Sequence, residues 1–534
     1  MRRLRSGAAV LAALLSAPFV GGSAEAQDVV LAARDGGLTL EGRLLGFDGE
    51  FYRIDTVYGE LTVDAAGVIC EGTACPDLEA FVAQVTISGA VAMGEVLMPA
   101  LIEAFAAQRG LGVARAIRDA LGFTYTLTEP GGRTIARIDF RLTTTEEGFA
   151  DLVAGEADLS MASREATPAE IALGREAGIG TLSAPSQSWV VAFDAYVAAV
   201  APDNSTAAIT PEALASALAG ELADWGALGG EAGQPLRLHA MAANLGVQQG
   251  IETLLLAPAG LSLSPAAIRQ PDAASVADAV AADPLALGVT LASALGSARA
   301  LALTGGCGFL IRPDETAVRS EDYPLVAPMF LYAPARRLPA VARDFLSFLS
   351  TPAAQRVIRR AGFTDLGTRR QPLSAQGERL ANAILAAGGE TSLDDLQGMV
   401  RALAGADRLS HTFRFRPGAA GLDAPSRGSA IQLSEALEAG VYDGHEILFV
   451  GFSDGEGSAA ANLRISRVRA ETAMAAVRAL ADTADHGRLA FRALAFGEAL
   501  PMACDDSDWG RRVNRRVEVW VRPLPRPVRR PSAP

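Results

Sequence analysis

At Val85 the hydrophobic pattern of this chain changes, and that change restricts the fold more than any other feature. Before it, apolar residues alternate, as in Leu38-Thr-Leu-Glu-Gly-Arg-Leu44 and Phe51-Tyr-Arg-Ile-Asp-Thr-Val57, with breaks at Asp35-Gly-Gly, Asp48-Gly49 and Tyr58-Gly59. This is the period of strands joined by tight turns, so residues 27–80 are expected to form a small β module. After it, Val85-Thr-Ile-Ser-Gly-Ala90 reads as a strand ending in a glycine turn, and Leu97, Leu101, Ile102 and Phe105 recur at helical spacing within Met93–Gln108. Similar units continue to about Leu349. Strands that alternate with helices bury their faces as α/β layers. A further mixed module runs from Ser410 to about Arg522, so the expected class is multidomain α/β and α+β.

The N-terminus adds an address. Arg2, Arg3 and Arg5 precede an apolar run from Ala8 to about Val20, and Ala24-Glu-Ala26 supplies a small-x-small cleavage pattern. Residues 1–26 are expected to be an export signal. Their apolar run is too short to span a bilayer, and no later stretch reads as long and uncharged enough, so no transmembrane segment is expected in the mature chain. Half the residues are hydrophobic, which excludes a largely disordered protein. The net charge of −14 opposes nucleic acid and anionic membranes as partners. Every basic position is Arg, a trait best ascribed to codon usage.

In an oxidising compartment, Cys70-Glu-Gly-Thr-Ala-Cys75 reads as a local disulfide. The alternative, zinc, finds no histidine nearby. Cys307 and Cys504 lie in different modules, and their pairing stays open. The chain has no H-E-x-x-H, Walker loop or clustered His/Cys set, so no metal, cofactor or catalytic group is expected. The proline-rich end, residues 523–534, is expected to be disordered.

Gly451-Phe-Ser453-Asp-Gly455 satisfies the nucleophile-elbow pattern, but an elbow needs a helix directly after its serine. Here Gly455, Gly457 and Ser458 prolong the loop, and only His486 follows as a base. The helix from about Ala461 to Leu480 is expected to bury Ile465, Val468, Thr472, Ala475, Ala476 and Ala479. Asn462, Ser466 and Arg469 share a second, polar stripe. Asp454 on the preceding loop and Arg469 could flank a site for a zwitterion, the carboxylate taking an ammonium and the guanidinium a carboxylate. A surface ion pair between the two is the other reading. Four segments, His411-Thr-Phe-Arg-Phe415, Gly451-Phe-Ser-Asp454, Asn462-Leu-Arg-Ile-Ser466-Arg-Val-Arg469 and Gly510-Arg-Arg-Val-Asn514-Arg515-Arg516-Val-Glu518, together resemble the OmpA-like peptidoglycan-binding domain. The resemblance implies a β-α-β-α-β-β sandwich over 409–522 in a periplasmic protein on the wall and outer-membrane side of the envelope. It also implies that Asp454 and Arg469 hold the diaminopimelate of a peptidoglycan stem peptide, with Asn462, Asn514 and Arg515 in support. Phe452, Ser453 and Ile465 stand where that family usually has histidine, threonine and leucine.

Residues 82–370 carry a second resemblance. Val85-Thr-Ile-Ser88-Gly89-Ala, Gly155-Glu-Ala-Asp158 through Ser163-Arg164 to Glu170, Ile209-Thr-Pro-Glu-Ala-Leu214, Leu218 to Trp225, and Asp322-Tyr-Pro-Leu325 with Phe330-Leu-Tyr332 are similar to PstS-like phosphate-binding receptors. That family implies two α/β lobes closing on an anion, held by helix N-termini and hydroxyls. Ser88, Gly89, Ser163, Arg164 and Asn244 are the matching candidates for a small ligand such as phosphate. For Ser163-Arg164, an ordinary interlobe or surface contact reads equally well. Where the family has a Ser-Gly-Thr turn, this chain has Ala243-Asn244-Leu245-Gly246-Val247, without hydroxyls. Residues 371–408 read as a helical linker. The expected function is a non-enzymatic, wall-attached binding protein; the alternative is a phosphate or other oxyanion receptor serving an ABC importer.

Overall fold

The computed structural model describes residues 28–388, 390–415 and 421–524; the expected export signal and the tail beyond Leu524 lie outside them. The chain divides into two compact units, one to Phe81 and one from Val82.

In the first unit, the alternating sequence forms a five-stranded antiparallel sheet in the order Gly59–Asp64, Phe51–Thr56, Thr39–Phe47, Asp28–Ala33, Val68–Glu71. Period-two alternation puts Val29, Leu31, Tyr52 and Ile54 on one buried face. The Asp48-Gly49 break is a turn in which the Asp48 carboxylate accepts from the amides of Glu50 and Phe51 at 2.8 and 2.7 Å. Cys70 and Cys75 are disulfide-bonded, as their spacing suggested.

The second unit begins with the α/β layers. One mixed sheet runs through two lobes: Ile268–Gln270, Arg237–Met241 and Ala286–Leu291 on one side, and Leu159–Ala162, Ala83–Ala90 and Thr134–Thr143 on the other, the last extended by Gly122–Thr128 and Gly112–Asp119. Within each trio the strands are parallel. The long strand Ser188–Val200 joins the lobes. Its first part pairs with Val326–Tyr332, and its second, from Tyr196, with Ala286–Leu291. The segment Val91–Gln108 is, contrary to the sequence expectation, apolar and long enough by composition to cross a membrane. Here Leu97, Met98, Leu101, Ile102 and Phe105 are buried in the first lobe.

The C-terminal sheet has the order Arg370–Pro372, Asp407–Phe413, Val517–Pro523, His445–Gly451, Leu489–Ala495. Ile447 and Phe449 face one core with helices Ala424–Glu438 and Ala459–Leu480, whereas Leu448 and Val450 face a second core. That second core contains Ala383, Leu396, Met399 and Leu403. These residues belong to helices Gly377–Ala386 and Leu393–Leu403, inside the stretch expected to be a linker. It is helical, but its apolar stripes are buried on the sheet, each large side chain contributing about 1.5–3 kcal/mol. It is therefore part of the domain rather than a tether.

The same module grips both lobes. Cys504 is disulfide-bonded to Cys307 of the second lobe, and Trp509 donates its indole N–H to the Leu254 carbonyl at 2.6 Å. On the first lobe, Ala424 packs in a core with Phe149, Leu152 and Tyr332, and Arg427 pairs with Glu165 at 3.4 Å. Between them, Arg408 makes a two-pronged ion pair with Asp322 at 2.6 and 3.0 Å, both residues buried. Arg408, Arg379 and Arg516 surround Glu518. Burial alone would push the Glu518 carboxyl up; the three guanidinia outweigh it and hold it far below the usual range.

Candidate functional site

Two places collect the candidate residues. The first lies at the C-terminal end of strand His445–Gly451, where the chain leaves the sheet and runs through 452–458 into helix Ala459–Leu480, whose N-cap is Ser458. Asp454 is largely buried there and accepts from Arg515 Nη1 at 2.6 Å. Arg469, about two turns along the helix from Asn462, lies within electrostatic reach of both. Burial, and next Arg515, pull its pKa down, while Asp454 opposes them. Its guanidinium lies 5.9 Å over the Phe415 ring and makes no hydrogen bond or ion pair with another described residue. Among the described residues the site thus holds one closed charge pair and one guanidinium without an anionic partner.

Asn462 and Asn514, expected to support the ligand, turn elsewhere. Asn462 donates to Glu498 Oε2 at 2.9 Å. Asn514 accepts from the amides of Met502 and Ala503 at 2.7 and 3.1 Å and donates to the Ala503 carbonyl and Asp505 at 2.8 and 2.7 Å. All its hydrogen-bonding capacity is used. Its role is positional, because Asp505 in turn accepts from the Gly455 amide at 2.7 Å and fixes the loop that carries Asp454. The Ser453 hydroxyl is buried with no hydrogen-bond partner among the described residues, and the helix begins only at Ala459, so the elbow reading fails on geometry.

The helix face also departs from expectation. Asn462, Ser466, Ala470, Ala473 and Val477 are buried, while Ile465 and Val468 are 45 and 59 % exposed. The helix approaches the sheet too closely for large side chains: a Cβ on Gly451 would sit 2.0 Å from the Ser466 carbonyl oxygen. Small residues win the inner face for that reason.

The second place is the cleft between the lobes, about 820 Å³. Of the five candidates, Ser88 is spent inside its lobe, donating to Asp151 at 2.5 Å. Gly89 has a positive φ, and a Cβ there would meet the Met161 carbonyl oxygen at 2.2 Å, so it serves strand packing. Ser163 and Asn244 do line the cleft. The Ser163 hydroxyl is paired with Thr145 Oγ1 at 3.2 Å, and a Cβ on Gly246 would lie 2.6 Å from it, so the two lobes touch at this floor. Arg164 does not line the cleft and is held by both oxygens of Glu170 at 2.9 Å. The structure therefore does not bring the five together around one ligand.

Sequence reading missed several residues that build these places. Cys307 and Cys504 could be paired only by topology. Glu518 was visible as a charge inside the apolar run Val517–Val521, with Arg516 just before it, a pattern that signals a buried ion pair, but its other partners Arg379 and Arg408 were not.

Among solved structures, the chain is similar to an ABC-type phosphate transport receptor from Vibrio cholerae, with 19 % identity, 52 % of this chain and 98 % of that chain covered, and a TM-score of 0.40. PstS from Borrelia burgdorferi gives 17 % identity, coverage of 53 and 98 %, and a TM-score of 0.37. The peptidoglycan-associated lipoprotein from Burkholderia pseudomallei gives 20 % identity, coverage of 21 and 90 %, and a TM-score of 0.19. No curated protein matches the chain. A family model described as a PBP superfamily domain matches residues 79–352, just over half the sequence. By that match the chain belongs to the PBP superfamily.

Proposed function

We propose that this is a non-enzymatic periplasmic binding protein attached to peptidoglycan through its C-terminal module. The observation that carries the reading is Arg469, a half-buried guanidinium over the Phe415 ring with no hydrogen-bond or ion-pair partner among the described residues, beside the Asp454–Arg515 pair. Such a group costs desolvation unless an anion completes it. Diaminopimelate offers a carboxylate for Arg469 and an ammonium for Asp454, and the four sequence segments around the site resemble domains that take this ligand. In this reading Asn514 and Asp505 set the loop and Arg515 is the resting partner that yields when the ammonium arrives. Cosedimentation of the purified protein with diaminopimelate-containing sacculi tests it. Asp454→Ala and Arg469→Ala should each lose most retention while keeping the parent's circular dichroism; undiminished retention by both would discard the assignment.

The alternative, an importer's phosphate receptor, asks the interlobe cleft to hold a dianion. No Arg or His lines that cleft, and its turn at Asn244 lacks hydroxyls. We therefore place the receptor-type domain in a binding role other than phosphate delivery.

A further inference from the structure

The charge of the interlobe cleft runs opposite to that of a phosphate site. Its charged lining consists of Glu95, Glu147 and Asp272. Two of these already sit where an anion would otherwise go. Helix Thr145–Ala154 points its N-terminus at the cleft, but Glu147 reaches back to the Thr144 amide at 3.1 Å while Thr144 Oγ1 accepts from the Glu147 amide. Helix Ala273–Ala282 is closed in the same way by Asp272, which accepts from the Ser275 amide at 2.7 Å. The positive helix ends that favour an anion are thus neutralised by the protein's own carboxylates.

Glu95 has no such task. Its carboxylate makes no hydrogen bond or ion pair with a described residue, and it comes from the first lobe, whereas Asp272 comes from the second. Burial, and next Asp272, push its carboxyl above the ordinary carboxylate range. Two carboxylates from opposite lobes therefore line one cleft, with no Arg or His among its lining residues. The remaining wall is largely apolar, with Val96, Leu121, Leu142, Leu245, Val247 and Phe363 among it. Pockets of this kind take an apolar body oriented by a few polar groups.

We propose that this cleft binds a small organic cation, an amine with an apolar body, whose ammonium lies between Glu95 and Asp272. A bound ammonium relieves the like-charge repulsion between the lobes, and the aliphatic wall receives the rest of the molecule. The inference rests on the reading of this domain as a ligand-binding unit, and not on wall attachment.

Calorimetry on the full mature protein at neutral pH, with four probes, tests it: hexylammonium, 1-hexanol, hexanoate and inorganic phosphate. Hexylammonium should bind most tightly, hexanol more weakly, and the two anions least. Glu95→Gln should weaken hexylammonium about fivefold, the scale of a partly exposed charge pair, and leave hexanol unchanged. Glu95 is exposed and serves helix Val91–Gly94 only through its backbone N–H, which Gln keeps, so a thermal melt like the parent's shows that the variant is folded. Phosphate or hexanoate binding more tightly than hexylammonium overturns the inference but keeps the binding role. An amine preference that survives Glu95→Gln overturns the site. No binding in any arm removes both the amine and the binding role, while sacculus retention is unaffected in every case.

Discussion

The interlobe cleft and the Asp454 site are both places where a helix, a loop and charged residues meet, yet they treat charge in opposite ways. In the cleft, Glu147 and one oxygen of Asp272 hold helix ends, and Ser163 is paired with Thr145. At the other site Asn514 and Asp505 take up the backbone's needs, which leaves Arg469 unspent. The difference teaches that a family's motif does not by itself leave a ligand group available. What matters is whether some other residue has relieved it of structural duty. Asn514 does so for the Asp454 loop; in the cleft the candidate hydroxyls have no such substitute.

The largest expected effect concerns the buried ion network of the C-terminal module. Glu518→Ala leaves Arg379, Arg408 and Arg516 together without their shared carboxylate. Breaking a buried ion pair on one side costs about 3–5 kcal/mol, so a clear drop in urea midpoint is expected; a midpoint unchanged from the parent would mean that Glu518 is not the centre of that network. Next comes the covalent tie between the second lobe and the loop of Asp505. Cys307→Ser should lower stability by about 2–4 kcal/mol, read by thermal unfolding without reductant so that Cys70–Cys75 stays closed. It should also weaken sacculus retention, because the same loop positions Asp454; full retention would separate the two regions.

At the Asp454 site itself, Asp454→Ala or Arg469→Ala should cost about 2–3 kcal/mol of wall affinity, the lower part of the range for a broken interfacial charge pair, since Arg469 is only half-buried. Arg515→Ala should cost less, because it frees an Asp454 oxygen that the ammonium needs. Equal losses in all three would make Arg515 a ligand contact and narrow the contrast with the cleft. The smallest expected effect is none at all: phosphate titrated into the protein should give no dissociation constant at or below about 1 µM, which corresponds to −8.2 kcal/mol. Tighter binding would erase the comparison, since the cleft would then hold an anion despite its carboxylates.

Much of the architecture could be read from the chain alone. The switch at Val85 from period two to alternating strands and helices separates an antiparallel sheet from α/β layers because side-chain direction follows backbone geometry locally. Cys70 and Cys75 are close enough in sequence to meet whatever the fold. The loop–helix spacing singled out Asp454 and Arg469 together, and in the fold the Asp454 charge is felt at Arg469, while the ion pair of Asp454 is with Arg515. The inner face of helix Ala459–Leu480 could not be read that way. Hydrophobic periodicity selects Ile465 and Val468, but the close approach at Gly451 admits only small side chains, which no one-dimensional pattern reports.

Charge and sulfur chemistry at a distance belonged to the tertiary structure. Cys307 finds Cys504 across 197 residues, and Arg408 finds Asp322 across 86. Local sequence determined where strands, turns and candidate ligands stand, because those depend on dihedral preference and neighbouring side chains. Which of the candidates remain free was decided only when folding brought distant donors and acceptors together, since each buried polar group must be satisfied by whatever the topology places beside it.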